Sequence, residues 1–339
     1  MSEKSEILHF VHHDNRPGMI VERAGFLTSV QDLGRTGFRQ FGVSTSGAVD
    51  SFALRVANLL VGNDESAAAL EITLGGLQLR FDEERRVAWC GGEFDVQIGS
   101  RALPAGHVAH RKAGDELKIG RAQIGCRCWL AISGGIDVPI ILSSRSTDLR
   151  AKFGGLEGRT LRDGDQLSLG EFRRSPNAPA ENISSWAGPH DWVSPAKRYP
   201  LLRFVRGVDW NRFNDVTIQQ FTEQQFSVSP DSDRMGVRLD GPELKREDET
   251  DLVSEAVAPG TIQVPPSGKP ILLLGDCQTI GGYPKIAHVI GVDLGIAAQL
   301  RAGERVRFFE VSLQEAHQLL MERERDLDRF RIGLSLQTA

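Results

Sequence analysis

Residues 254–289 read SEAVAPGTIQVPPSGKPILLLGDCQTIGGYPKIAHV, and they decide how the chain is read. The apolar run at 271–274 follows a Pro-Pro-Ser-Gly turn, ends at Gly275-Asp276, and opens into a loop dense in polar groups and glycine. A second apolar segment follows at 286–291. Rigid strands flanking a polar loop are how a sheet presents chemistry at its edge, and Gly281-Gly282 lets backbone approach a ligand closely.

Working outward, 339 residues against about 100–200 per domain predict two domains. With 40% apolar and 25% charged residues the composition is that of an ordinary globular protein. A net charge of −5 of mixed sign gives no basic field for nucleic acid, and no apolar run approaches the roughly 18 residues of a spanning helix. Neither a nucleic-acid nor a membrane partner is expected. Residues 1–18 lack the basic-then-apolar order of a signal peptide, so they are expected to be a flexible tail on a cytoplasmic protein. His12-His13 within it has no acidic or cysteine companion and reads as solvated. Cys90, Cys126, Cys128 and Cys277 lack CxxC spacing and read as reduced, mostly buried thiols, Cys277 alone lying where reactivity would matter.

The pattern predicts a mainly β protein with a few helices (α+β), in two β-rich bodies: a domain over 19–172, a Pro/Ser/Asn/Ala-rich linker over 173–198, and a second domain over 199–339 ending in a helix. Residues 26–50, with four glycines, read as a long irregular segment. A helix over 51–63 is capped by Asp50 or Ser51, with Gly62-Asn63 as its stop, and a short second helix over 65–70 by Asp64. Strands follow over 70–135. The cues KAGDELKIG at Lys112, RDGDQLSLG at Arg162 and RAGERVRFF at Arg301 each place Gly-acid before alternating apolar positions, which reads as a hairpin. In the second body Asn214 caps a helix, and Ser312 with Glu315 forms a capping box before a charged amphipathic helix read as mostly solvated.

Several chemistries are set aside. Gly275 and Gly281 do not fit GxxxxGK[ST], residues 42–47 do not fit GxSxG, and no GxGxxG, HExxH or paired-Cys set exists; no metal site is expected. What remains is polar residues in two glycine-rich neighbourhoods. Asp32, Arg35, Ser46, Asp50, Asn58, Asn63 and Glu71 form the first, which reads equally as a site or as satisfied turns. Arg234, Glu255, Gln263, Asp276, Gln278, Thr279, Tyr283 and Lys285 form the second. An Arg and a Lys with amide and hydroxyl donors can bind a small carboxylate or amide, while Asp276 or Glu255 can manage a proton.

At these residues the sequence resembles a known family. The stretches at 28–81 (TSVQDLGRTGFRQFGVSTSGAVDSFALRVANLLVGNDESAAALEITLGGLQLRF), 129–167, 233–244 (DRMGVRLDGPEL) and 254–300 resemble the family known as allophanate hydrolase subunit 2, as biotin-dependent carboxyltransferase or as the C component of 5-oxoprolinase. The resemblance runs from about residue 20 to 309. It implies two β-barrel-like halves, the second cyclophilin-like, beside a subunit-1 partner that resembles the B component of 5-oxoprolinase. The activity it implies is ATP-dependent ring opening of 5-oxoproline to glutamate with a further, A-like ring-opening protein. Carboxyl transfer from biotin to urea or a related amide, and a regulatory protein antagonising a kinase inhibitor, are the alternatives it leaves. Within these residues no biotin carboxylase and no Met-Lys-Met biotinyl site is read, which favours the 5-oxoproline expectation. Under the leading reading Arg234 and Lys285 hold the carboxylate or phosphorylated oxygen of the lactam, Asp276 and Glu255 transfer protons, and Gln263, Gln278, Thr279, Gly281, Gly282 and Tyr283 orient the substrate. Asp32, Arg35, Ser46, Asp50, Asn58 and Arg145 make a second cluster. The chain departs from the family pattern at Ser143, at Val237, where an aromatic is common, and at Cys277.

Overall fold

The computed structural model describes residues 18–172, 183–247 and 252–338; the expected tail, with His12-His13, lies outside all but its last residue. Among the described residues no helix is long and apolar enough to cross a membrane.

Two long antiparallel strands, Arg85–Ile98 and Glu116–Ile132, form the spine of a ten-stranded sheet in the N-terminal half. Glu116–Ile132 spends its length on two neighbours: its first residues pair Leu77–Phe81, its last pair Ala69–Thr73. The apolar runs of the spine are continuous because both faces are covered. Val87 and Trp89 join one core with Leu70, Leu79, Leu130 and Ile132, while Ala88, Cys90, Trp129 and Ala131 point into another.

That second core is shared by the two halves. It contains Leu54 and Leu60 of the helix Ser51–Val61 and also the aromatic centre of the C-terminal barrel. Asp50 caps this helix by accepting from the Ala53 amide at 3.0 Å, and Gly62 closes it with a left-handed φ of 78°. The C-terminal half is a closed seven-stranded barrel. Its seam is a parallel pair, Leu201–Arg206 against Arg305–Glu310; the other neighbours are antiparallel. Phe204, Phe221, Phe226 and Phe308 fill it, Phe221 and Phe308 stacking at 4.8 Å. Among the described residues only this half closes by hydrogen bonding; the main strand path of the N-terminal sheet runs from Ile183–Ala187 to Gln166–Ser168. Asn214 caps Asp215–Glu223 through the Thr217 amide, and the Ser312 hydroxyl accepts from the Glu315 amide at the start of Leu313–Thr338.

Five expectations change. Residues 65–70 form no helix: Asp64 Oδ1 accepts from the Ser66 amide and hydroxyl in a turn, and Ala69–Thr73 is drawn into the sheet, tertiary pairing overriding alanine's helix propensity. The segment 26–50 contains a strand, Leu27–Gln31, on Ala69–Thr73. The three Gly-acid cues are one tight turn used three times, with Gly114, Gly164 and Gly303 at φ 85°, 88° and 83° and the acid accepting from the amide of Lys112, Arg162 or Arg301. None of them is a hairpin, because each strand entered pairs with a more distant one. The described part of the 173–198 stretch also carries structure: Ile183–Ala187 extends the N-terminal sheet beside His107–Arg111, and a helical turn follows at His190–Val193. The terminal helix is partly docked: Arg55 grips Glu324 with two bonds of 2.7 Å, and Leu327 is fully buried.

Candidate active site at the barrel edge

Arg234 and Asp276 are brought together by backbone. The Leu274 amide donates to Met235 O at 2.9 Å and the Asp276 amide to Arg234 O at 3.1 Å, so the turn at 233–235 is zipped to the turn that ends strand Ile271–Leu273. The Arg234 guanidinium then donates from Nε and Nη2 to both Asp276 oxygens, at 2.9 and 3.1 Å, from Nη1 to Glu71 Oε1, and from Nη2 to Gly47 O at 2.8 Å. Glu71 belongs to strand Ala69–Thr73 of the other half, where its second oxygen accepts from Trp129 Nε1 and the Val49 amide. All three charged side chains are buried. Burial pushes the Asp276 carboxyl up, against the pull of Arg234, while its two carboxylate partners hold the Arg234 guanidinium in its charged form despite full burial.

Lys285 forms a separate pair. It opens strand Lys285–Val289, its amide donates to Asp209 Oδ2 at 2.9 Å, and its ammonium, only 4% exposed, reaches Glu255 Oε2 at 2.9 Å with Asp209 Oδ2 behind it at 3.7 Å. Glu255 stands on a two-stranded flap outside the barrel, in which Glu255 faces Gly281 and Ala256 faces Ile280. Beneath it Gln263, almost fully buried, donates to Tyr283 O at 3.4 Å and accepts from Gln278 Nε2 at 3.3 Å. A Cβ at Gly281 would stand 2.7 Å from Gln263 Nε2 and would push that carboxamide aside. Gly282 runs beside Leu252 and Ser254, Thr279 O accepts from the Val257 amide, and Tyr283 is exposed on the rim. Cys277 is buried, and desolvation raises its thiol above the usual range, so it is held protonated.

The first cluster is a scaffold of loops. Asp32 accepts from the Gly34 and Arg145 amides and the Ser144 and Ser146 hydroxyls, fixing the segment 143–148 against 32–35. Arg35, fully buried, donates to Ser146 O and lies 4.5 Å over the Phe153 ring. Ser46 takes a positive φ of 51° and meets the Ser44 hydroxyl, which donates to Asp148. Asn58 and Asn63 bond each other and the carbonyls of Ala67 and Ile132. Arg145 turns away to Val138 O and Asp137.

The sequence-predicted residues therefore divide into an inter-half triad (Glu71, Arg234, Asp276), a flap site (Lys285, Glu255, Gln263, Gln278 and the glycines) and a loop scaffold. Two residues escaped sequence reading. Asp209 backs Lys285, and Arg39 reaches from the N-terminal half to Val257 O and to Gln278 O at 3.1 Å, gripping the flap's base. Neither carries a local motif; only the fold brings them near.

The profile of the family described as carboxyltransferase domain, subdomain A and B, matches residues 41–310. The chain is 41% identical to the C subunit of the Escherichia coli 5-oxoprolinase over 304 residues, covering 89% of this chain and 94% of that protein. The C subunit of the Haemophilus influenzae 5-oxoprolinase is 39% identical with the same coverage. Among solved structures, the urea amidolyase of K. lactis superposes with a TM-score of 0.86 at 32% identity, over 94% of this chain and 20% of that one.

Proposed function

Because this chain belongs to the carboxyltransferase-domain family, subdomain A and B, we propose that it is one component of an ATP-dependent, cytoplasmic 5-oxoprolinase, acting with B-like and A-like proteins to open 5-oxoproline to glutamate. The carrying observation is the nearly end-to-end match to the E. coli C subunit. In this reaction water adds to the lactam carbonyl, the ring C–N bond breaks, and the nitrogen leaves as an amine that takes up a proton. Amide resonance makes the step slow unless the carbonyl is first activated, which is what ATP supplies. The flap site suits such a substrate: Lys285 for its non-reacting carboxylate and Gln263 and Gln278 for its lactam amide, with Thr279 and Tyr283 at the rim. The saturated bonding of Arg234 and Asp276 suits them to holding the halves in register rather than to proton transfer.

The start of the glycine loop at 275–277 does not suit a triphosphate. The amides of Asp276 and Cys277 are spent on Arg234 O and Leu274 O, so the glycine loop has no run of free donors at its start. Nucleotide chemistry is therefore assigned to a partner protein. The test is to co-purify the chain with its B-like and A-like partners and measure glutamate and ADP formed from 5-oxoproline and ATP. Absence of both products with all components present overturns the reading.

The likeness to urea amidolyase supports a second reading, carboxyl transfer from biotin to urea or a related amide. A biotinylated protein in the native complex, with labelled bicarbonate appearing on the amide, would select it.

A further inference from the structure

We propose that the buried Lys285 ammonium is a carboxylate-binding site that Glu255 occupies as a built-in stand-in, leaving with the flap when a substrate carboxylate takes its place. This deepens the reading above and rests on it for the identity of the substrate, though not for the chemistry of the exchange. It replaces the proton-transfer role that sequence reading gave Glu255.

The two partners of the pair are unlike. Lys285 is 4% exposed and anchored on a barrel strand, while the Glu255 side chain is 61% exposed on a flap of two residues per strand. A buried ammonium requires a counter-ion; a mostly hydrated carboxylate regains its water readily when released. Asp209 lies behind Lys285 at 3.7 Å and is not part of the flap, so the cation keeps a counter-charge once Glu255 leaves. An incoming carboxylate presents the same atoms Glu255 does, and the exchange conserves charge. The flap can swing because it lies outside the barrel's hydrogen bonding, with Gly281-Gly282 at its foot. The Gln263 and Gln278 carboxamides under it share one long bond of 3.3 Å, and Gln263 donates another of 3.4 Å to Tyr283 O, leaving capacity for the amide of the same ligand.

An internal competitor that holds the ammonium in all but about a tenth of molecules weakens an incoming carboxylate about tenfold. The experiment is binding of acetate and of 5-oxoproline to the full chain by titration calorimetry. Glu255→Gln is expected to lower the Kd for both about tenfold, and adding Lys285→Met is expected to abolish the gain. Glu255→Asp, one methylene too short to keep the contact, is expected to give an intermediate gain, and it serves as the test should Glu255→Gln not fold. A structural ion pair predicts the reverse, a loss of stability with no gain in binding. Unchanged or weaker acetate binding in the Glu255 variants, or a gain that survives Lys285→Met, overturns the proposal. A gain for acetate without one for 5-oxoproline supports the exchange and counts against 5-oxoproline as the substrate.

Discussion

Arg234 and Glu71 meet across the junction of the two halves, the guanidinium donating to a carboxylate that is fully buried in the N-terminal sheet, while Asp276 grips the same guanidinium from the barrel. The triad makes the orientation of the halves an electrostatic matter. Arg234→Met strands two buried carboxylates and is expected to cost about 3–5 kcal/mol, read from urea unfolding. Adding Glu71→Gln and Asp276→Asn should recover much of that loss, because the unpaired charges go with the cation. A triple variant no more stable than the single one would assign the loss to packing instead.

Asp50 gives a pH dependence. It is wholly buried at the helix N-cap, and desolvation raises its carboxyl against the bond from the Ala53 amide. A raised folded-state pKa means that the folded protein binds this proton more tightly than the unfolded chain. The corresponding stability is complete below the unfolded value of about 3.9 and is lost as pH rises through the folded value. Asp50→Asn keeps an oxygen for the cap and has no charge to bury. Relative to wild type it should gain on the order of 1 kcal/mol as pH climbs from 3 to 7, measured by denaturant unfolding at each pH; a difference independent of pH would show that the Asp50 carboxyl titrates alike in the folded and unfolded chain.

All four cysteines are free and buried, and burial raises their thiols above the ordinary range. Iodoacetamide should therefore label none of them in the folded protein within a time that fully labels the protein in urea, as mass spectrometry will show. Rapid native labelling at Cys277 would mean that the loop after Asp276 opens in solution.

Arg39 is expected to hold the flap and not the fold. Arg39→Ala removes the bonds to Val257 O and Gln278 O, and should speed amide exchange through the flap, including the Val257 amide that donates to Thr279 O, with a change in Tm below about 2 °C. Global destabilisation would instead make Arg39 part of the junction proper.

Much of the local structure was legible because it rests on neighbours in sequence. The caps at Asp50, Asn214 and Ser312 each bond an amide three residues on, and the Gly-acid turns close over three residues. Misreadings arose where a distant strand won: Ala69 joined a sheet instead of a helix, and the turns at Lys112, Arg162 and Arg301 feed strands whose partners lie far along the chain. The polar residues around 254–289 were picked out by the glycines and strand ends that frame them. Their division into a triad and a flap pair was not, since Glu71 and Arg234 stand 163 residues apart and Asp209 precedes Lys285 by 76.

By itself, then, the sequence determined two β-rich bodies, their capped helices and a polar loop at the edge of a strand, because periodicity, turn chemistry and capping act over a few residues. Which carboxylate neutralises which cation was decided only by tertiary structure. Burying a charge is tolerable only beside its counter-charge, and that counter-charge was supplied to Arg234 by the opposite half of the molecule and to Lys285 by a flap that folds back over the barrel.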